Sequence, residues 1–223
     1  MNRSINILLL VVSFPAVAFA ILVGFDIPLD FLKYSAGQLP YRDKVFYVFA
    51  TLLLLLIVRR SVSRWTGVGM TRKPERFIWC ADIGPERKKQ VRLYLIMEAV
   101  IALFFALVAY RLTPESWPVA LAYALLFLDQ TVFLLIAMPW FRVGVTHKAV
   151  VVADREVKVL YFSGLRRVEV QQQTVFFEYI EDLQLFFPTN CVPEGSYTEF
   201  RNTLETRVNR DKVFFSEKFK ALR

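Results

Sequence analysis

The 223-residue sequence predicts an α-helical membrane protein. Four transmembrane helices precede a C-terminal α+β cytoplasmic domain, an antiparallel β meander closed by one helix. Three observations predict this. Apolar residues make up 56% of the chain and charged ones 22%, against roughly 45–50% apolar in globular domains, and the mean hydropathy is +0.41. The apolar residues gather into four long runs before residue 142. After residue 143 the pattern switches to short alternating segments separated by turn residues. The two cysteines are too few for a disulfide framework, and the single histidine, His147, argues against most metal sites and Ser-His-Asp triads.

A helix needs about 20 residues to cross a hydrocarbon core of roughly 30 Å. The first run, Ile5–Phe25, is uncharged, with Pro15 expected to kink it. Asn2-Arg3, an apolar stretch and Ala18-Phe19-Ala20 imitate a secretory signal. Because the apolar run continues through Ile21-Leu22-Val23, the segment reads as a retained helix. The second run, Val45–Val58, is short and flanked by Lys44 and Arg59-Arg60, so spanning (44–60) requires snorkelling or local thinning. The third covers 92–112 and the fourth 118–141, the latter interrupted by Asp129-Gln130-Thr131.

Charge sets the orientation. Segment 59–92 carries Arg59, Arg60, Arg64, Arg72, Lys73, Arg76, Arg87, Lys88, Lys89 and Arg92 against Glu75, Asp82 and Glu86. Lys and Arg collect in short cytoplasmic loops, which puts 59–92 and both termini inside and 26–44 and 113–118 outside. Amphipathic indoles collect at the interfaces: Trp117 is expected as the outer anchor, and Trp65, Trp79 and Trp140 as inner ones. Cys80 and Cys191 then face a reducing compartment as free thiols.

Residues 143–223 read as the cytoplasmic domain. Expected strands are Ala149–Ala153, Glu156–Phe162, Arg166–Gln172, Thr174–Ile180 and Leu183–Phe187, with Arg142–Thr146 as a sixth if it pairs, and Glu181-Asp182 turning the last hairpin. Pro188 ends the ladder because it has no N–H. Ser196-Tyr197-Thr198-Glu199 has the spacing of a capping box, opening a helix 196–210 whose Phe200, Leu204 and Val208 form one apolar stripe. The tail Lys212–Arg223 is expected to continue the helix or lie on the membrane as a basic amphipathic segment.

The last strand running into a proline (Leu183-Gln184-Leu185-Phe186-Phe187-Pro188), a loop with a second proline (Val192-Pro193-Glu194-Gly195) and the helix from Ser196 carry a resemblance. This order resembles bacterial pleckstrin-homology-like (PH-like) domains, within them the YcxB-like group of small membrane proteins. It covers about 80 residues. The chain departs from that pattern in having four membrane helices where two are expected. A PH-like fold also has seven strands, a count that Arg76–Ala81 would complete by making the domain discontinuous. The resemblance implies a binding or scaffolding module and carries no catalytic residue.

Candidate sites are two. Glu98 and Asp129 lie at similar distances from the turn joining helices three and four, with Gln130 and Thr131 alongside. A charge mid-membrane is costly and faces protein or water. With no base expected at that depth, the two carboxylates would share a proton. They read either as a proton or cation pathway in a homo-oligomer or as a structural interhelical pair. The second candidate is the basic set Arg59, Arg60, Arg64, Arg72, Lys73, Arg76, Arg87, Lys88 and Lys89, which would bind anionic headgroups or a protein partner, or only enforce topology. Gly67-Val68-Gly69 lacks the further glycines of a phosphate cradle, and no metalloprotease, hydrolase-elbow, nucleotide-loop or kinase motif occurs. The expected role is therefore non-enzymatic, with no cofactor, metal or nucleic acid: an inner-membrane scaffold or regulator binding lipid headgroups or a protein. Immunity to a membrane-targeting toxin is a narrower version resting on size and architecture. Proton or cation conduction through Glu98 and Asp129 is the alternative.

Overall fold

The computed structural model describes residues 2–29, 34–180, 183–208 and 213–221. Four of its helices are long and apolar enough to cross a membrane: α1 (Asn2–Gly24), α2 (Arg42–Thr71), α3 (Pro85–Leu112) and α4 (Trp117–Ala137). α1 runs through Pro15 without a break. Between α1 and α2, β1 (Pro28–Leu29) and β2 (Tyr34–Ser35) form a minimal antiparallel pair. The chain divides into two compact units, one of Met1–Ser63 and Tyr94–Leu135, the other of Arg64–Leu93 and Ile136–Arg223.

In the first unit small residues line the helix contacts. Ala99, Ala102, Ala106 and Ala109 recur at three- and four-residue spacing on α3 and are buried, as are Ala16 and Ala20 on α1 and Ala120 and Ala122 on α4. Alanine lets helix backbones approach closely, the usual means of packing apolar helices where no hydrophobic force drives them together. Phe19 tilts against Phe46 at 5.0 Å and Phe105 against Tyr123 at 5.4 Å. The large side chains point the other way: Leu10, Phe14, Leu55, Val100, Phe104, Leu107 and Leu135 are all more than half exposed. A bundle with its small residues inside and its large apolar ones outside is dressed for lipid.

The second helix differs from its expected span. It does not end at Arg60 but continues to Thr71, 30 residues in all. No Pro intervenes, and the inward stripe Phe46, Ala50, Leu53, Ile57, Arg60, Arg64, Val68 and Thr71 keeps its three- to four-residue spacing beyond the apolar run. α3 likewise begins at Pro85, before its apolar stretch.

The second unit holds eight strands in two sheets. The strands are β3 (Trp79–Asp82), β4 (Arg142–Val145), β5 (Ala149–Ala153), β6 (Val157–Tyr161), β7 (Leu165–Gln171), β8 (Thr174–Tyr179), β9 (Gln184–Pro188) and β10 (Phe214–Phe215). One sheet has the order β3-β4-β5-β6, the other β10-β7-β8-β9. The segment Arg76–Ala81 therefore does supply a strand: Trp79 pairs with Val145 and Asp82 with Arg142. The α3–α4 hairpin is inserted between two strands that are neighbours in one ladder. β7 and β8 join through Gln172 and Gln173, both at positive φ (45° and 62°), a two-residue turn of the hairpin-favouring hand. Glu181-Asp182, expected to turn β8 into β9, lies outside the described residues.

The two sheets bury a common core, including Val143, Val150 and Leu160 from one and Val168, Phe177 and Phe187 from the other. Helix α5 (Tyr197–Arg207) closes it with Phe200 and Leu204, and Val208 is buried just beyond. The capping box does not form. Ser196 makes no side-chain cap, and the Glu199 carboxylate instead accepts from Trp79 Nε1 at 3.1 Å. The tail corrects a second expectation, since its described residues neither extend α5 nor form a surface helix. Phe214–Phe215 pair in parallel with β7, and α6 (Glu217–Lys220) puts Phe219 into the core, stacked on Phe215 at 5.6 Å. Lys212, Leu222 and Arg223 lie outside the described residues.

Candidate functional site

The first candidate lies within the helical unit. Arg60 Nη2 donates to Glu98 Oε2 at 2.5 Å, an ion pair linking α2 to α3, with the arginine side chain 8% exposed. The next residue, Ser61, donates its hydroxyl to Asp129 Oδ1 at 2.7 Å, linking α2 to α4. Two adjacent residues of α2 thus reach both carboxylates. This overturns the reading of Glu98 and Asp129 as a proton-sharing pair with no base nearby: an arginine that looked like a flanking residue is part of the site. The arginine falls there because α2 continues past the apolar run, which turns Arg60 inward and Arg59 outward. Gln130 is fully buried. Thr131 bonds back to the Phe127 carbonyl of its own helix at 2.9 Å, a local bond that ties it to neither carboxylate.

A second ion pair fixes the other end of the same unit. Arg42 Nη2 donates to Glu115 Oε1 at 2.6 Å and its Nε donates to the same oxygen at 3.2 Å, and Thr113 Oγ1 also donates to Glu115. Arg60 lies eighteen residues beyond Arg42 on α2, about 27 Å at 1.5 Å per residue. Asp129 lies twelve residues beyond Trp117 on α4, about 18 Å. Both distances exceed half of a roughly 30 Å hydrocarbon core. The carboxylates thus fall in the half nearer the basic segment, where an arginine can reach them from its own helix.

The second candidate belongs to the β-rich unit, and the structure sorts its bases. Arg60 and Arg64 are buried, which removes them from a headgroup-binding set. Arg87 is taken by Asp154 in the β5–β6 turn, with Nη2 and Nε donating to Oδ2 at 2.6 and 3.0 Å. Lys88 reaches Asp82 at 3.3 Å. Arg59, Arg72, Lys73, Arg76 and Lys89 are exposed. Arg72 stacks over Trp140, its guanidinium 5.0 Å from the ring centre. Beside it Arg142 holds several ends together: Nε donates to Asp82 Oδ1 at 3.1 Å, Nη1 to the Thr71 carbonyl at 3.3 Å, and the guanidinium lies 5.8 Å from Trp140. Thr71 Oγ1 donates to the Trp140 carbonyl at 2.8 Å. The end of α2, the end of β3, the start of β4 and the residue before it are therefore tied at one corner.

The tryptophans divide accordingly. Trp117 is 48% exposed and packs edge-on with Tyr47 at 5.9 Å, and Trp140 carries the Arg72 stack. Trp65 is half-buried on α2. Trp79 is not an interfacial anchor: it packs on Phe200 at 5.4 Å beneath α5. Both cysteines are free. Burial pushes the Cys80 thiol up and the fully buried Cys191 thiol up to about 12, so neither is an activated nucleophile.

Residues that sequence reasoning did not single out are Ser61, Thr71, Asp82, Arg142 and Asp154. The last four act through partners about 60 to 70 positions away, a separation that leaves no local pattern. For Arg60 a signal existed, since extending the stripe of α2 by one turn selects it. Among the described residues no group of three or more His, Cys, Asp or Glu side chains could hold a metal ion. No family model matches the chain, nor does any curated protein or solved structure.

Proposed function

We propose that this chain is a non-enzymatic integral inner-membrane protein with both termini cytoplasmic, and that its β-rich unit is a PH-like binding module for anionic lipid headgroups or a protein partner. The observation that carries this reading is the strand arrangement. β3-β4-β5-β6 and β7-β8-β9 give seven antiparallel strands in two sheets, followed by α5 over the core. That is the PH-like order, with β3 as the first strand and the α3–α4 hairpin inserted before the second. Support for the membrane setting comes from the four apolar helices and their outward large side chains. A role in immunity to a membrane-targeting toxin stays a narrower form of the same proposal. The conducting alternative has lost its starting geometry, because Glu98 is paired with Arg60 and Asp129 with Ser61.

Topology reporters active only outside the cytoplasm test the setting. Fusions at residues 38 and 115 are expected to be active, and those at 75 and 223 silent. Activity at 223 overturns the orientation. In-cell crosslinking from exposed positions of the β-rich unit, followed by identification of adducts, tests the binding role. Absence of any lipid or protein adduct above that of a helix-only control overturns it.

A further inference from the structure

The bases near Trp140 differ from those that hold the fold. Arg87, Lys88 and Arg142 each have a carboxylate. Arg72, by contrast, touches one described group only, the face of Trp140, and no described residue takes its five N–H donors. Lys73 and Arg76 follow it, exposed and likewise without a carboxylate partner among the described residues. Glu75, also exposed, is the one acid between them. We infer that the Arg72–Lys73–Arg76 edge beside Trp140 is a seat for the phosphate of an anionic phospholipid headgroup. The inference rests on the reading that α1–α4 cross a bilayer.

Three features select this class of ligand. A guanidinium lying on an indole keeps its N–H edge free, and that planar fork matches a phosphate's paired oxygens. The stack also fixes the side chain beforehand, so less rotamer freedom is lost on binding than by a solvated lysine. The choice of a lipid over a free phosphate ester comes from the neighbours in sequence. Met70, two residues before Arg72, is 42% exposed, and Ile136, one turn before Trp140, is 51% exposed. Bare apolar side chains next to unpartnered bases suit a molecule with a charged head and an apolar body.

The test uses the full-length protein in detergent, titrated in parallel with dioleoyl-phosphatidylglycerol and dioleoyl-phosphatidylcholine, with bound lipid scored by native mass spectrometry. Wild type should retain the anionic lipid at least tenfold better. Arg72→Gln/Lys73→Gln should lower that affinity about 30-fold, since each surface base contributes about 1 kcal/mol and 1.4 kcal/mol is tenfold. Lys89→Gln/Arg92→Gln removes the same charge from exposed positions on α3 and should stay within about threefold of wild type. Millimolar glycerol 1-phosphate should not displace the lipid. Equal retention of both lipids, equal losses in the two double variants, or displacement by glycerol 1-phosphate overturns the seat. Alkaline carbonate extraction of membranes separates this from the underlying reading. A chain released by carbonate refutes the membrane assignment, whereas one that stays but shows no lipid preference refutes the seat alone.

Discussion

Gly67 and Gly69 sit two residues apart in α2 and should respond to the same substitution with opposite sign. A Cβ on Gly67 would lie 1.6 Å from Val157 Cγ2 and 2.5 Å from its Cβ, whereas a Cβ on Gly69 meets nothing within 4 Å. Carbon atoms rest at about 3.5–4.0 Å, so Gly67→Ala requires roughly 2 Å of relief. No rotamer of Val157 supplies it, because the valine Cβ is itself too close and its strand is held to β5 through Ala153. Overpacking of this kind costs about 1–3 kcal/mol, and replacing a mid-helix glycine by alanine returns about 1 kcal/mol of helix propensity. The large overlap puts the cost near its upper end, leaving Gly67→Ala destabilised by about 1–2 kcal/mol, or about 3–6 °C in Tm for a chain of this size. Gly69→Ala should be stabilised by up to about 1 kcal/mol. Thermal unfolding of the full-length protein, followed by tryptophan fluorescence, compares the two. Val157→Ala in the Gly67→Ala background should restore part of the loss, since the Cγ contacts vanish and the Cβ contact remains. Equal stabilisation by the two alanines would refute the close approach of α2 to β6.

Three further expectations concern single contacts. Replacing Gln172-Gln173 by Asn-Gly relieves two non-glycine residues at positive φ and should raise stability by about 1 kcal/mol; unchanged or lower stability would show that Gln172 and Gln173 hold this conformation without strain. Arg60→Met and Glu98→Gln should each reduce the folded yield more than the double variant Arg60→Met/Glu98→Met, with a coupling of about 0.5–3 kcal/mol in a double-mutant cycle, and strictly additive losses would exclude a working ion pair. Cys191 binds its proton more tightly folded (about 12) than its ordinary value of 9.0. Its contribution is therefore complete below about pH 9 and is lost as pH rises toward 12; Cys191→Ala should lower stability at pH 7 yet flatten the alkaline slope, and an unchanged slope would count against the buried thiol.

What the sequence disclosed follows the range of the forces involved. β5 to β9 were legible because alternation along a strand is local: on β8, Val175, Phe177 and Tyr179 are buried between half-buried neighbours. The two residues of β10 carry no period and are defined by pairing with a strand more than 40 positions earlier. The capping box failed for a similar reason, as Trp79, 120 residues away, recruits the glutamate that would have closed it. At the polar cluster the acids were found because carboxylates are conspicuous among leucines. Their partners were not, since hydropathy alone ended α2 at the arginines and a helix ends only when its hydrogen bonding does.

The insertion of α3 and α4 between β3 and β4 has a consequence for biosynthesis. Asp82 and Arg142 are cross-strand partners, yet sixty residues must be made between them. At about 5–20 residues per second this takes on the order of 3–12 s, during which Trp79–Asp82 is complete and has no strand to pair with. The ribosome therefore finishes both apolar helices before the β-rich unit receives the second strand of its first sheet, so its closure reports that the hairpin has been made.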